Sequence, residues 1–546
     1  MSPTAIIVVL LGSAFLAYGV KASFDTWRLY KAGLGRIDRE YDMKAVAQYF
    51  RGIADEHPSL PDRSWADLDL DVVFQRLDRT VSWPGQHLLY ARMRREDLSF
   101  DALRKFDLAV TRLAEDEGLR THIRWAVRPL AEQNASRLPA LFTGALPALP
   151  VTARLTPLLT LAAIVMILMV PWHPVMIMGV LAITVANLFV RVSLQDRIDP
   201  FLPALRSLQP MLACARTLRR LDVPELSQQS GALGSEMARL EWIGRATRWL
   251  AFEAGPDLAG AIYTYINLLL LADVSAFAWS VEAIRTKSAT IRAMYEALGE
   301  LDAMTSVAIV RSEDRQWCRP VFVAGRGRAL DLVAITHPVL GSPVANSLRI
   351  EGQNLLLTGS NMSGKSTFVR ALGVNAVLAA TIHTVFSTSW RAPRLVVRTS
   401  IGRSDSLVDG TSYYRAEVDA VGALFGGAEG RQRLILIDEL FRGTNSIERI
   451  AAAQAVLAEL DRGDDIVVVA THDVELLELL PTYMSLHFRE EVQGGLLSFD
   501  YRLHPGASST RNALAILELA GFPAEVVAES RRTAASLEMR LRTNRA

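Results

Sequence analysis

Lysine is scarce in this chain. Of 59 basic residues only six are lysine (Lys21, Lys31, Lys44, Lys105, Lys287 and Lys365), so arginine is the default cation. Cysteine is scarcer still. Cys214 and Cys318 are too few for a disulfide framework and fit a reducing compartment. They have no metal-ligand spacing, which argues against a structural zinc site. A charge excess is missing as well: 59 basic and 58 acidic residues leave a formal net charge of +1. No global positive field holds a polyanion, and any such site must be local. Charged residues make up only 21% of the chain against 50% hydrophobic, which excludes disorder and argues against an ordinary fully soluble protein. The 546 residues predict two to four domains.

The apolar excess is concentrated. Thr4 to Val20 carries no charge and is close to the minimum length for crossing a bilayer as a helix. A cleaved signal peptide would place positive charge ahead of this run. Here the first lysine, Lys21, follows it, and an uncleaved anchor is expected. Leu155 to Val190 contains no Asp, Glu, Lys or Arg, and Pro171-Trp172-His173-Pro174 divides it into two arms. This predicts a transmembrane hairpin with its turn at a polar interface. Lys21, Arg28, Lys31 and Arg36 follow the first run, while Arg154, Arg191 and Arg197 flank the hairpin. Three spans place all of them on one side, and the positive-inside bias makes that side cytoplasmic. The expected localisation is the cell membrane, multi-pass, with both long polar portions in the cytosol. Leu258 to Ala272, ended by Asp273, reads as a buried helix.

Elsewhere before residue 310, apolar residues recur at three- and four-residue intervals, as in FDALRKFDLAVTRLAE, and predict helices. The expected organisation is an anchor over 1–21, a cytosolic helical region over 22–153 and a transmembrane hairpin over 154–191. A helical core or lever over 192–318, an ATPase domain over 319–530 and a basic tail over 531–546 follow. The arginine clusters around Arg219 and Arg532 read as solvated helix faces or headgroup contacts.

At Leu355 the pattern changes. LLLT is a short buried strand, followed at once by GSNMSGKST and a helical run. Strand, GxxxxGKS loop and helix together define a P-loop. Gly359, Ser360, Asn361, Met362, Ser363, Gly364, Lys365, Ser366 and Thr367 form the candidate triphosphate cradle. Glycines let backbone N–H groups wrap phosphate, and the helix N-terminus adds positive potential. Lys365 meets the β/γ oxygens, and the Ser366 hydroxyl ligates Mg²⁺. A second strand, LILI, ends in Asp438-Glu439: Asp438 can hold Mg²⁺, directly or through water, and Glu439 can act as general base toward the attacking water. A third strand ends in Thr471-His472, where the imidazole can reach a γ-phosphate. ATP and Mg²⁺ are the expected ligands, and carboxyl ends of parallel strands are where such sites form.

These pieces resemble the MutS-like mismatch-repair ATPases of the ABC-ATPase superfamily. The resemblance runs from about Arg319 to Pro523, through His337-Pro338-Val339, TGSNMSGKST, IGRSDSLVDGTSYYRAE, IDELFRGTNS, ATHD and GASSTRNALAILELAGFP. It implies a P-loop (ABC-type) α/β domain at the C-terminus, behind an all-α lever region. It also implies a homodimer with composite ATPase sites, in which Ser412 completes the partner's site and Arg442-Gly443-Thr444 lie at the interface. Three departures stand out. Phe441 replaces a usual glycine, Asn512-Ala513 replace an aromatic-glycine pair, and no segment resembles the mismatch-reading domain.

The leading expectation is a membrane-anchored ATPase working as a dimer, with DNA as its candidate partner. A nucleotide-dependent scaffold acting on a membrane protein or lipid surface is the second reading. Half of an ABC transporter is the third, and the lack of an LSGGQ-like signature between Lys365 and Asp438 counts against it. Segment order further suggests that the hairpin stands where the family's DNA clamp would be.

Overall fold

The computed structural model describes residues 40–144, 146–147, 156–246, 265–314, 316–325, 327–360, 363–402, 413–426, 430–493, 496–507 and 521–543. Helices make up the N-terminal part, and both sheets lie in the C-terminal half. Two compact units emerge. One takes the described residues of 1–52, 78–89 and 109–310; the other takes 53–77, 90–108 and 311–546. The helical region read as 22–153 is thus shared between them.

The first unit is helical. The helix Ser288–Glu313 buries Ile291, Met294, Leu298, Leu301, Met304 and Ala308, one apolar stripe at three- and four-residue spacing. Asp302 sits on the same helix and is fully buried. Its carboxylate accepts from Val81 N at 3.0 Å, Ser82 N at 2.8 Å and Ser82 Oγ at 2.6 Å. Burial pushes its pKa up, with these hydrogen bonds pulling the other way. The loop can come this close because residue 85 is glycine: a Cβ there would lie 2.2 Å from Asp302 Oδ2. Gly85→Ala is therefore expected to cost about 3 kcal/mol, the scale of an overpacked core. A denaturant midpoint equal to wild type would show that the contact relaxes freely.

The apolar stretch forms two helices, Thr156–Met169 and Met176–Ile198. The second, of 23 residues with a mean hydropathy of 2.0 over its most apolar 18, is the one helix among the described residues long and apolar enough to cross a membrane. The first has 14 residues, about 21 Å at the helical rise, against a hydrocarbon core of about 30 Å. The expectation of three spans is corrected accordingly. One candidate span is supported, the hairpin's first arm is short, and Thr4–Val20 lies outside the described residues. Both arms expose apolar side chains, including Leu161, Leu168, Met178, Val185 and Phe189. Asn187 turns inward, donating to Leu269 O at 2.6 Å. Thr160 donates to Leu270 O, beside a helix break at Leu271 (φ +46°). Of the stretch 258–272, read as a buried helix, residues 265–272 are described: Leu269 and Leu271 are buried, whereas Tyr265 is exposed.

The second unit holds two sheets. Its strands are β1 (Val321–Phe322), β2 (Ala329–Ile335), β3 (Asn346–Glu351), β4 (Leu355–Thr358), β5 (Ser389–Ala392), β6 (Val396–Ile401), β7 (Arg433–Asp438), β8 (Ile466–Ala470), β9 (Met484–Gln493) and β10 (Leu496–Pro505). The smaller sheet has the order β1-β5-β2-β3 and the larger β10-β9-β4-β8-β7-β6. In the larger one β9, β4, β8, β7 and β6 are parallel and β10 is antiparallel. Buried on both faces, β4 and β8 read as unbroken apolar runs rather than alternating ones. Helices Lys365–Ile382 and Ser446–Leu460 follow β4 and β7, as parallel crossovers require.

An open edge at β6 would leave backbone groups unpaired. The segment 53–77 covers it: Asp67 Oδ2 accepts from Thr399 Oγ1 at 2.7 Å and from Ile401 N at 3.0 Å. Glu96 pairs with Arg398 of the same strand at 2.6 Å. Two pieces of early chain thus complete the late sheet.

Candidate functional site

Strand register assembles the site. Leu357 of β4 pairs with Ala470 of β8, and Ala470 pairs with Asp438 of β7. These residues form one row across three parallel strands. The hydrogen bonding runs one residue further, with Thr471 N donating to Leu357 O and Glu439 N to Ala470 O. Beyond that row the chain leaves the sheet at one edge, as the glycine loop, the Asp438-Glu439 turn and Thr471-His472. Residues some 110 positions apart in sequence become neighbours.

The loop depends on its glycines. Gly359 has φ +135° and Gly364 φ +109°, conformations that side chains rarely adopt. A Cβ on Gly359 would lie 2.8 Å from the Phe488 carbonyl. Lys365, 2% exposed, opens the helix and folds back, its Nζ donating to Gly359 O at 2.5 Å and Ser360 O at 2.8 Å. Burial lowers its pKa, while the carboxylates of Glu439 and Asp438 oppose that shift. Ser363 Oγ donates to Ser360 O at 2.7 Å. Ser366 and Thr367 lie in the first helical turn; Asn361 and Met362 are outside the described residues.

Asp438 is buried, and its Oδ1 has no hydrogen-bond partner among the described residues. An orphaned carboxylate oxygen is costly unless something meets it, and a hard cation suits it. Glu439 stands in a left-handed turn at φ +62°. Its Oε2 lies 2.6 Å from Arg442 Nε and 3.5 Å from His472 Nδ1. Burial pushes its pKa up, but His472, Arg442 and Lys365 outweigh that and hold the carboxyl below its ordinary value. The same contact with Glu439 raises the pKa of His472 against the effect of burial. The structure therefore brings Lys365, Asp438, Glu439 and His472 together. Ser412 lies outside the described residues, as do Asn512 and Ala513.

Phe441, where a glycine was expected, keeps the conformation a glycine would take: φ is +57°. Its ring is buried against Val421, Leu440 and Leu476 and stands 6.3 Å from Tyr414. Ring burial thus offsets a left-handed cost of about 1–2 kcal/mol.

Sequence reasoning missed the flank of the site. A cavity of about 200 Å³ beside the start of the helix Lys365–Ile382 is lined by His337, Leu340, Val344, Phe368, Phe488 and Tyr501, among others. The β9–β10 register slips between Phe499 and Leu503, and Tyr501 takes φ +53° within that bulge. Asn346 holds the bulge, donating to Tyr501 O at 2.9 Å and accepting from Leu503 N at 2.8 Å. Burial, aided by Arg370, lowers the His337 pKa to about 4, so its imidazole is neutral at pH 7. Hydrophobic periodicity shows such strands, but not which residue a bulge redirects.

A parallel sheet flanked by crossover helices, with its polar groups gathered where the strands end, defines the class of α/β ligand-binding domains. Residues 355–538 match the model of MutS domain V. The DNA mismatch repair protein MutS of Thermus thermophilus is 33% identical over 255 residues, 46% of this chain and 31% of that protein. The same protein of Thermus aquaticus is 32% identical over 275 residues, 50% of this chain and 33% of its own length. That of an Exiguobacterium species is 30% identical over 274 residues, 47% and 31% respectively. The chain spans about a third of the length of these curated relatives. The likeness that the domain model locates lies in the C-terminal part of the chain.

Proposed function

We propose that this protein is a membrane-anchored, Mg²⁺-dependent ATPase that works as a homodimer with composite sites and acts on DNA at the cytoplasmic face of the cell membrane. The reading rests chiefly on one observation: the glycine loop with Lys365, the orphaned oxygen of Asp438, Glu439 and His472 all meet at one sheet edge. The relatives' name, DNA mismatch repair protein, supports the DNA part.

In this reading the loop 359–366 is a P-loop. Its backbone N–H groups and the helix N-terminus receive the triphosphate. Lys365 exchanges the Gly359 and Ser360 carbonyls for phosphate oxygens. Asp438 Oδ1 and the Ser366 hydroxyl would hold Mg²⁺, which neutralises phosphate charge when bound. Glu439 turns from Arg442 toward a water molecule and takes its proton as the water attacks the γ-phosphorus; the bond from that phosphorus to the β–γ bridging oxygen breaks, and ADP leaves with that oxygen. His472 presents a cation where the γ-phosphate charge lies. The apolar wall of His337, Phe488 and Tyr501 offers a surface to the base. In the dimer, Ser412 would complete the partner subunit's site and Arg442 would lie at the interface.

A second reading, a nucleotide-driven scaffold acting on a lipid surface or membrane protein, is favoured by the exposed apolar side chains of both hairpin arms. Detergent-solubilised protein separates the two. Mg²⁺-dependent release of phosphate from ATP is expected in both cases. On the DNA reading, affinity for duplex or branched DNA falls steeply with salt, the signature of phosphate contacts. No binding at low salt, with or without ATP, would leave the scaffold reading in its place.

A further inference from the structure

His472 does not face Glu439 alone. Its Nε2 lies 3.6 Å from Asp473 Oδ1, so each ring nitrogen has a carboxylate opposite it. Asp473 is 6% exposed and is fixed from two sides. Arg449, on the helix Ser446–Leu460, grips it with Nη2 at 2.6 Å and Nε at 3.0 Å, and the Asp473 backbone N–H donates to Thr471 Oγ1 at 3.0 Å. The result is an alternating row of charge, from Arg449 through Asp473, His472 and Glu439 to Arg442.

We infer that Asp473, braced by Arg449, is a positioning residue: it holds the His472 ring with one nitrogen toward Glu439 and keeps that ring an imidazolium. The inference rests on the ATPase reading above and deepens it. A histidine between two carboxylates, here at 3.5 and 3.6 Å, gains most from both charges when both nitrogens carry protons. In that form it cannot serve as a base, so its role is to offer charge and a donor to the γ-phosphate. The groups that face it are Glu439 from the turn after β7 and Asp473 from its own loop. Arg449 and Arg442 stand behind those acids. A bidentate arginine–carboxylate pair is a rigid mount, and a helix anchors its far end.

The test uses the full chain in detergent, labelled at its histidines, with His472→Gln assigning the resonance. Removing both charges, Arg449→Gln with Asp473→Asn, strands no buried ion, and Asp473→Asn alone is the companion variant. In both, the His472 pKa read by NMR is expected to fall by about one unit. Steady-state kinetics should show kcat down about tenfold with KM within about twofold of wild type. The alkaline limb of the kcat profile should move to lower pH by the same amount as the NMR pKa. Arg449→Lys should restore part of the loss. A His472 pKa and a pH profile unchanged in a folded double variant would overturn the inference, since a merely structural ion pair would alter melting alone. Wild-type protein that fails to hydrolyse ATP, with the His472 pKa still falling in the variants, would sink the ATPase reading and leave the ring geometry standing.

Discussion

Lys365→Ala is expected to abolish tight nucleotide binding, weakening it about a hundred- to a thousandfold. Lys365 is the last lysine of the chain, and its ammonium lies among Gly359 O, Ser360 O and the carboxylates of Asp438 and Glu439. Removing one partner of a buried, hydrogen-bonded charge pair costs about 2–5 kcal/mol, and each 1.4 kcal/mol is tenfold in affinity. The loss works twice over. The triphosphate forfeits a buried cation, and it must approach Asp438 and Glu439 with one balancing charge fewer beside them. Burial already lowers the lysine's pKa, so the site has a desolvated ammonium ready to gain from an anionic partner. Titration with a fluorescent ATP analogue checks this. A Kd within threefold of wild type would mean that the backbone cradle alone carries the affinity.

Glu439→Gln should separate binding from turnover. Glutamine matches glutamate in shape and its carbonyl oxygen can still accept from Arg442, but it cannot take a proton from water. Loss of a general base lowers kcat by about 10²–10⁴, while the cradle is untouched and binding should stay within a few-fold of wild type. Trapping of ATP in a closed dimer is the expected companion result. The low pKa of Glu439 belongs to a state in which Arg442 sits 2.6 Å from the carboxylate. Such a carboxylate is a weak base, and releasing Arg442 would restore its strength, so turnover should follow whatever draws that arginine away. Single-turnover phosphate release at saturating ATP measures the effect, and near-normal rates in the variant would exclude Glu439 as the base.

Much of the candidate site is local in sequence, and that is why it could be read. GSNMSGKST is one short stretch of sequence between a strand and a helix, and its glycines, Gly359 and Gly364, are, among its described residues, the two positions with positive φ. Asp438-Glu439 and Thr471-His472 each close a short apolar run, so their places at strand ends follow from the pattern alone. The charge-free stretch of 155–190 was equally plain, but its helices had no boundary signal beyond the two prolines. Within the described residues the first arm is helical from Thr156 to Met169.

The motif set, the acids and the apolar arms were thus determined by the sequence itself, because each depends on residues a few positions apart. Tertiary structure alone decided that Leu357, Ala470 and Asp438 share a row, that Asp67 and Glu96 close the β6 edge, and that a bulge turns Tyr501 beside the loop. It also decided that Phe441 can hold a glycine's conformation because its ring is buried, and that Arg449 steadies Asp473. Those are pairings between segments distant along the chain. Their free energy comes from burial and hydrogen bonds that exist only once strand register and helix packing are set, and no local window of the sequence contains them.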